Sequence, residues 1–493
     1  MCSITAELLK AGGDCIAEWL TVIINSVWVD ERLPVDWKRG IILPFWKNKG
    51  DKLICGNHRG ITLLSIPGKV FTRVLLTRAL SAIRSRRRPQ QAGFLPNRST
   101  TDHISALRLI IEKTREFRNK RQLYIAFIDL KAAFDSIDHQ SLWNILQKIG
   151  VPGKHLSLFK ELYAGAESCV RINRAHSDWF NIRSGVRQGC IAAPDLFNSV
   201  VDYLMEKVCE QIPGVAFGDY DLADLEYADD TAILSGTFAE ITHALEVFDT
   251  EARKLGLQIN WDKTKLMMIG DGPIPEPPVF DGHVVEFVDS FIYLGSSLTR
   301  TGELRTEIDR RRGIAGDAMA KLNRPVWKQR NISRETKLKI YNALISSILL
   351  YGAETWPLNA TLASRLDGFD SRSLRRIEGI HWTDHVSNEE LRRRTRQPLA
   401  SSIAAQKRVR WLGHVLRLPP YHPTRAIMEF NPRQAGWTRP RGAPRTRWLD
   451  VAAKDLRQCG VALENAEALA QDRSRWRSLV KTVGSTRPAH EDE

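Results

Sequence analysis

Helical and strand-like spacings of apolar residues alternate along this chain. In GKVFTRVLLTRALSAIRSR (68–86), Val70, Phe71, Val74, Leu75 and Leu80 recur at spacings that predict an amphipathic helix. LYIAFIDL (123–130) is a nearly continuous apolar run, short and rich in strand formers, and predicts a buried strand ending on Asp129. A helix is expected at about 139–149, with Leu142, Ile145, Leu146 and Ile149 on one face and Asp138 or His139 near its cap. RQGCIAAPDLFNSVVDYLMEKV (187–208) reads as a glycine-hinged loop feeding a helix with Pro194 in its first turn. LEYADDTAIL (225–234) reads as a hairpin, ITHALEVFDTEARKLG (241–256) as a helix and FIYLGSSL (291–298) as a short strand. The Pro-rich DGPIPEPPVF (271–280) is a connector. From about 303 the pattern is helical, and NPRQAGWTRPRGAPRTRW (431–448) reads as extended or ordered only on a partner.

A chain of 493 residues implies two to four folding units, and 43% hydrophobic content makes it globular. Its seven cysteines form no CxxC pair, which argues against a disulfide framework or zinc knuckle. That usage suits a reducing compartment, so an intracellular location, nucleus and/or cytoplasm, is expected. No signal-like N-terminus and no run of 18 apolar residues occurs, and no membrane association is expected.

The net charge of +15 is unevenly placed. Residues 1–300 carry 36 Lys+Arg and 36 Asp+Glu, whereas 301–493 carry 36 and 21. Within 391–458 there are 16 basic and 3 acidic residues. Such asymmetry is the footprint of a module that tracks a phosphate backbone; the alternative is a merely solvated surface. Trp411, Trp437 and Trp448 lie among these charges, where indole rings could offer stacking surface.

Asp229 and Asp230 stand side by side at the tip of the expected hairpin. Asp is a common turn residue, but paired carboxylates also repel unless a cation sits between them. A strand ending on Asp129 beside that hairpin, in one antiparallel sheet, would gather three carboxylates. Such a hard, oxygen-rich site suits two Mg²⁺ ions. Two ions about 3.5–4 Å apart can activate a 3′-hydroxyl and stabilise leaving pyrophosphate.

FIDLKAAFDSI (127–137), GVRQGC (185–190), YADD (227–230), LGLQINWDKTK (255–265) and FIYLG (291–295) occur in the order of the sequence blocks of reverse transcriptases. The chain resembles the LINE-type, non-LTR retrotransposon branch. GNHRGITLLSIPGKVFTRVL (56–75) and QAGFLPNRSTTDHI (91–104) are similar to its finger blocks, and YGAETW and RVRWLGHVLR to its tails. The resemblance implies an α+β right-hand polymerase with an antiparallel palm sheet. Fingers and palm would span 1–300, a helical thumb 301–385 and a basic nucleic-acid-binding region 386–493.

Carried over by position, the resemblance assigns metal ligation to Asp129, Asp229 and Asp230, with Mg²⁺ as cofactor and Mn²⁺ as its substitute. Phe134 falls where an aromatic bars the 2′-OH of ribonucleotides. Gln188 and Gly189 match the loop against the incoming nucleotide, with glycine allowing close backbone approach. Arg59 and Lys47 match triphosphate-clamping residues, and Lys263 a lysine that protonates pyrophosphate. FIYLG matches a hairpin that grips the primer. The implied partners are an RNA template, a DNA primer or target and deoxynucleoside triphosphates.

Two departures stand out. The family's Pro-Leu-Ser-Pro is here Ile191-Ala192-Ala193-Pro194, followed by Asp195, and His58 stands where an aromatic is commoner. The family's upstream endonuclease is expected to be missing, as is a ribonuclease H domain. A catalytically decayed or host-adopted nucleic-acid-binding protein is the alternative, against which the intact acid triad argues.

Overall fold

The computed structural model describes residues 4–117, 122–439, 441 and 446–484. Strands β1 (Arg39–Trp46) and β2 (His58–Leu64) pair antiparallel, with Phe45 opposite Arg59 and Trp46 opposite His58. β1 also runs parallel to the strand Glu167–Ile172, and two short strands complete a five-stranded sheet. Helix α1 (Ile66–Ser85) begins where the Ser65 side chain accepts from the Gly68 N–H and Pro67 occupies the first turn. The periodic face read from its sequence is the one that faces inward: Phe71 and Leu75 are buried, and Leu76, Ala79 and Ile83 extend it. Helix α2 (Thr100–Glu116) opens on a capping box formed by Ser99 and Asp102.

Strands β3 (Leu123–Ile128), β4 (Asp224–Tyr227), β5 (Asp230–Ser235) and β6 (Lys265–Ile269) form the expected palm sheet. All are antiparallel, in the order β6-β3-β5-β4. Successive residues of β3 enter two different cores: Tyr124, Ala126 and Ile128 one, Leu123, Ile125 and Phe127 the other. A strand covered on both faces needs an apolar side chain at every position, which explains why LYIAFI shows no alternation. The first core is completed by α1, α3 (Ala193–Cys209) and α4 (Phe238–Lys254), through residues such as Phe71, Phe197 and Phe248. Residues 291–298 read as one short strand from their apolar pattern, but they form part of a hairpin, as the match of FIYLG implied. β7 (Ser290–Tyr293) and β8 (Ser296–Thr299) pair because Leu294 and Gly295 both take left-handed backbone angles and reverse the chain.

Beyond it, α5 (Arg305–Lys321) and α6 (Ala360–Glu378) surround a separate core around Tyr341, Ile345 and Trp356. Helix α7 (Ala400–Val415) joins that bundle to the palm: Ala400 and Ala404 pack in the bundle, Val409, Trp411 and Leu412 in the second palm core. Helices α8 (Trp448–Arg457) and α9 (Arg473–Thr482) add Trp448, Leu456, Trp476 and Val480 to the same core. Among the described residues no helix is long and apolar enough to cross a membrane.

The C-terminal tryptophans therefore do not serve as open stacking platforms. Trp411 is 8% exposed and donates its indole N–H to Ser105 Oγ at 3.1 Å. Trp448 is 2% exposed and donates to the Glu354 carbonyl at 2.8 Å. Trp437 packs edge-on against Phe430. A ring with a satisfied N–H gains more from burial than from water. The stretch 431–448 is not wholly extended, since Trp448 starts α8; residues 440 and 442–445 of it lie outside the described residues. Trp411→Ala should lower unfolding free energy by about 3–5 kcal/mol, read by denaturant titration. A loss below about 1 kcal/mol would mean that the C-terminal helices fold apart from the palm.

Candidate active site

The register of the palm sheet gathers the acids. Ile128 on β3 pairs with Thr231 on β5, so Asp129, one residue on, lies across from Asp230. Tyr227 pairs with Asp230, leaving Ala228 and Asp229 as a two-residue turn. Ala228 has φ +58°, a conformation costing of order 1–3 kcal/mol outside glycine. What holds it is Gln91. Its Oε1 accepts from the Ala228 N–H at 2.9 Å, and its Nε2 donates to Glu226 Oε2 at 3.1 Å. The backbone on either side runs along β4: Ala92 N–H donates to the Glu226 carbonyl, and Glu226 N–H to the Gln90 carbonyl. Behind the turn, Arg88 binds Asp224 at 2.7 Å and also Glu226, both carboxylates having no exposure.

Gln91 and Arg88 were not assigned a role from sequence. QAGF marks the segment, but an amide signals no chemistry until its partners are seen. Gln91→Leu keeps the volume and strands the Ala228 N–H, a loss of about 1–3 kcal/mol. We expect a lower melting temperature together with a reduced kcat and little change in nucleotide KM. A lower melting temperature with full kcat would reduce Gln91 to a structural group.

Charge crowding marks the site. Burial pushes the Asp230 carboxyl up to about 6, and Asp229 and Asp129 add to it by repulsion. Burial also raises Asp229; its own backbone hydrogen bond opposes the shift, Asp129 adds to it and Arg59 opposes it. Their tips still reach solvent. Lys263 Nζ donates to Asp129 Oδ2 at 3.0 Å while 67% of its side chain is exposed. An open cleft of ≈ 550 Å³ separates Asp129, Asp230 and Lys263 from Phe291 and Tyr293 of β7. Three carboxylates whose charges repel are a suitable donor set for a hard divalent cation. Among the described residues, no three His, Cys, Asp or Glu side chains stand as a preformed cage. Lys263 supplies the positive charge beside Asp129.

The other expected residues divide. Phe134 stacks on Phe197, ring centroids 4.2 Å apart and 8° from parallel, with Phe94 edge-on at 6.2 Å. Gln188 Nε2 donates to both Asp135 oxygens at 3.2 Å, and its carbonyl accepts from the Thr62 N–H at 3.1 Å. Gly189 does permit a close approach, but to protein. At φ +104°, a Cβ there would lie 2.4 Å from the Thr62 carbonyl oxygen, so the glycine seats this loop on β2. Arg59, exposed on β2, acts electrostatically on Asp229. Lys47 is not brought to the acids: its ammonium donates to the Gly56 carbonyl at 3.0 Å, on the loop joining β1 to β2. The departure at Asp195 has a local reason, since its carboxylate lies 3.3 Å from Arg84 and 3.6 Å from Arg87.

The family described as Reverse transcriptase (RNA-dependent DNA polymerase) matches residues 46–415. An uncharacterized protein of transposon TX1 from Xenopus laevis is 25% identical over 282 residues, covering 56% of this chain and 21% of that protein. The RNA-directed DNA polymerase from mobile element jockey of Drosophila melanogaster is 23% identical over 379 residues, covering 75% of this chain and 41% of that protein. The chain thus spans less than half the length of either relative. Apo telomerase from Candida Tropicalis superposes with TM-score 0.39 and 11% identity, over 83% of this chain and 72% of that one. By the match to residues 46–415, well over half its length, the chain belongs to the reverse transcriptase family.

Proposed function

We propose that this chain is an RNA-directed DNA polymerase of a non-LTR retrotransposon, extending a DNA 3′-OH with deoxynucleoside triphosphates along an RNA template. The observation that carries this reading is the register that sets Asp129 across from Asp230, beside Asp229 in the turn. Reverse transcriptases use divalent metal ions, and the three carboxylates are the residues that would hold them, as two Mg²⁺ or Mn²⁺. Such ions, when bound, lower the pKa of the attacking hydroxyl and neutralise charge on the leaving group. Around them the protein's own residues orient the reactants. Arg59 clamps the triphosphate from β2, with Lys47 able to join only if its hydrogen bond to Gly56 opens. Lys263, within reach of Asp129, donates a proton to the departing pyrophosphate. Phe134, backed by Phe197, closes the space a 2′-OH would need. Gln188 and Gly189 border the nucleotide, and the β7–β8 hairpin holds the primer end. We place this activity inside the cell, in nucleus or cytoplasm, as the unpatterned cysteines suggest.

The test is primer extension on an annealed RNA template, with and without Mg²⁺. Metal-dependent extension supports the reading. Template binding without extension, by protein whose circular dichroism shows it folded, would instead identify a nucleic-acid-binding protein that has lost catalysis.

A further inference from the structure

The motif RVRWLGHVLR (408–417) plays no part in the site above; Arg408 turns inward to Asp455 at 2.7 Å, yet its other polar residues have a shared direction. Arg410, His414 and Arg417 are spaced by four and three, one stripe of α7 and its C-terminal extension. On α9, Arg473, Arg477 and Lys481 are spaced by four and four, a second stripe. The two helices pack through the faces next to these stripes. The Trp476 ring lies where a Cβ on Gly413 would be, and its indole N–H donates to the Val409 carbonyl at 3.1 Å. Glycine at 413 thus lets the helices approach until their cationic stripes border one recess.

That recess measures ≈ 690 Å³ and is closed on its third side by the loop Pro96–Arg98. Six cationic side chains line it, and no carboxylate does. Arg410, Arg473, Arg477 and Lys481 are exposed and make no salt bridge among the described residues. Arg417 spends one N–H on the Ala470 carbonyl, while its buried Nε has no partner. Burial and the charges of Arg473 and Arg477 depress its pKa, a sign of like charges held together. One chain segment serves both places: Pro96 on the recess wall comes five residues after Gln91, which holds the acid-bearing turn.

We propose that this recess is a second nucleic-acid site, gripping the phosphodiester backbone of the RNA template as it passes the fingers. The inference rests on the polymerase reading for the identity of that strand. The recess has room for a few nucleotides of one strand. It offers no open ring for a base, since Trp476 is 2% exposed and occupied with Val409. Recognition therefore runs through phosphates and is indifferent to base sequence.

The test uses the full chain and a labelled single-stranded RNA of mixed sequence, titrated at several salt concentrations. The variant R473Q/R477Q/K481Q removes the α9 stripe from the solvent side. The slope of log K against log[salt] should become shallower by about 2, from three contacts at about 0.7 each on a single strand. R410Q, on the facing helix, should reduce it by about 0.7. The charge-keeping R473K/R477K should retain the wild-type slope. Melting temperature checks folding in each case. Folded triple and R410Q variants with unchanged slopes would overturn the proposal. If wild type extends a primer but the slopes coincide, the recess fails and the polymerase reading stands. If wild type binds RNA with the expected loss in the variants but never extends a primer, the recess stands and the polymerase reading fails. Wild type that neither binds nor extends overturns both.

Discussion

Asp229→Asn should abolish primer extension while leaving fold and template binding nearly intact. The substitution changes one carboxylate oxygen to an amide nitrogen and keeps the side chain's shape. At the turn it even relieves repulsion, because Asp230 is pushed up to about 6 by burial, then by Asp229, then by Asp129. Asp229 makes no salt bridge among the described residues, so no ion pair that braces the turn is lost. Gln91 still holds the Ala228 N–H. What disappears is charge stabilisation worth several kcal/mol in the transition state, and each 1.36 kcal/mol is about tenfold in rate. Extension above about a tenth of the wild-type rate, in protein whose circular dichroism is unchanged, would sink the assignment of Asp229 to metal binding.

A change of comparable size, in selectivity instead of rate, is expected at Phe134. Its ring is wedged between Phe197, stacked at 4.2 Å, and Phe94, edge-on at 6.2 Å. A ring supported on two sides cannot swing away to admit a larger sugar. Phe134→Val or Phe134→Ala should therefore lower the ratio of kcat/KM for deoxy- over ribonucleotides by about 10–100-fold, the scale of a steric contact in a fitted pocket. Activity with deoxynucleotides should fall much less. An unchanged ratio would make Phe134 an ordinary packing residue and move sugar selection elsewhere.

How far the sequence could be read depended on what kind of signal each feature leaves. The apolar run before Asp129 lacks alternation because β3 is covered on both faces, so burial, strand and end point were all legible. The YADD hairpin was legible because two adjacent acids between apolar runs are chemically costly. Charge bias, by contrast, reports sign and region but not direction. It placed Trp411 and Trp448 among cations without revealing that both rings turn inward, against Ser105 and Glu354. Gly189 carried an expectation of close backbone approach, but its approach to the Thr62 carbonyl was not legible, since Thr62 is far away in sequence. Lys47 matched by position, yet a local hydrogen bond to Gly56 directs it elsewhere. Gln91 left no trace because its hold on the turn consists of hydrogen bonds to Glu226 and Ala228, both far away in sequence.

The two-sided covering of β3 has a consequence for how the protein is made. Its Leu123, Ile125 and Phe127 face lies in a core shared with α2, with the β7–β8 hairpin and, from the C-terminal helices, with Val409, Leu412 and Trp476. On the ribosome, Val409 emerges about 280 residues after β3, on the order of 15–60 s at roughly 5–20 residues per second. During that interval the apolar side of the nascent sheet has no helices from α7 onward to cover it, the condition under which partly made chains aggregate. A message cut short before α7 would then yield a chain whose acid-bearing sheet keeps α2 and the β7–β8 hairpin on that face but lacks the helices that complete its core, a substrate for chaperones and proteases.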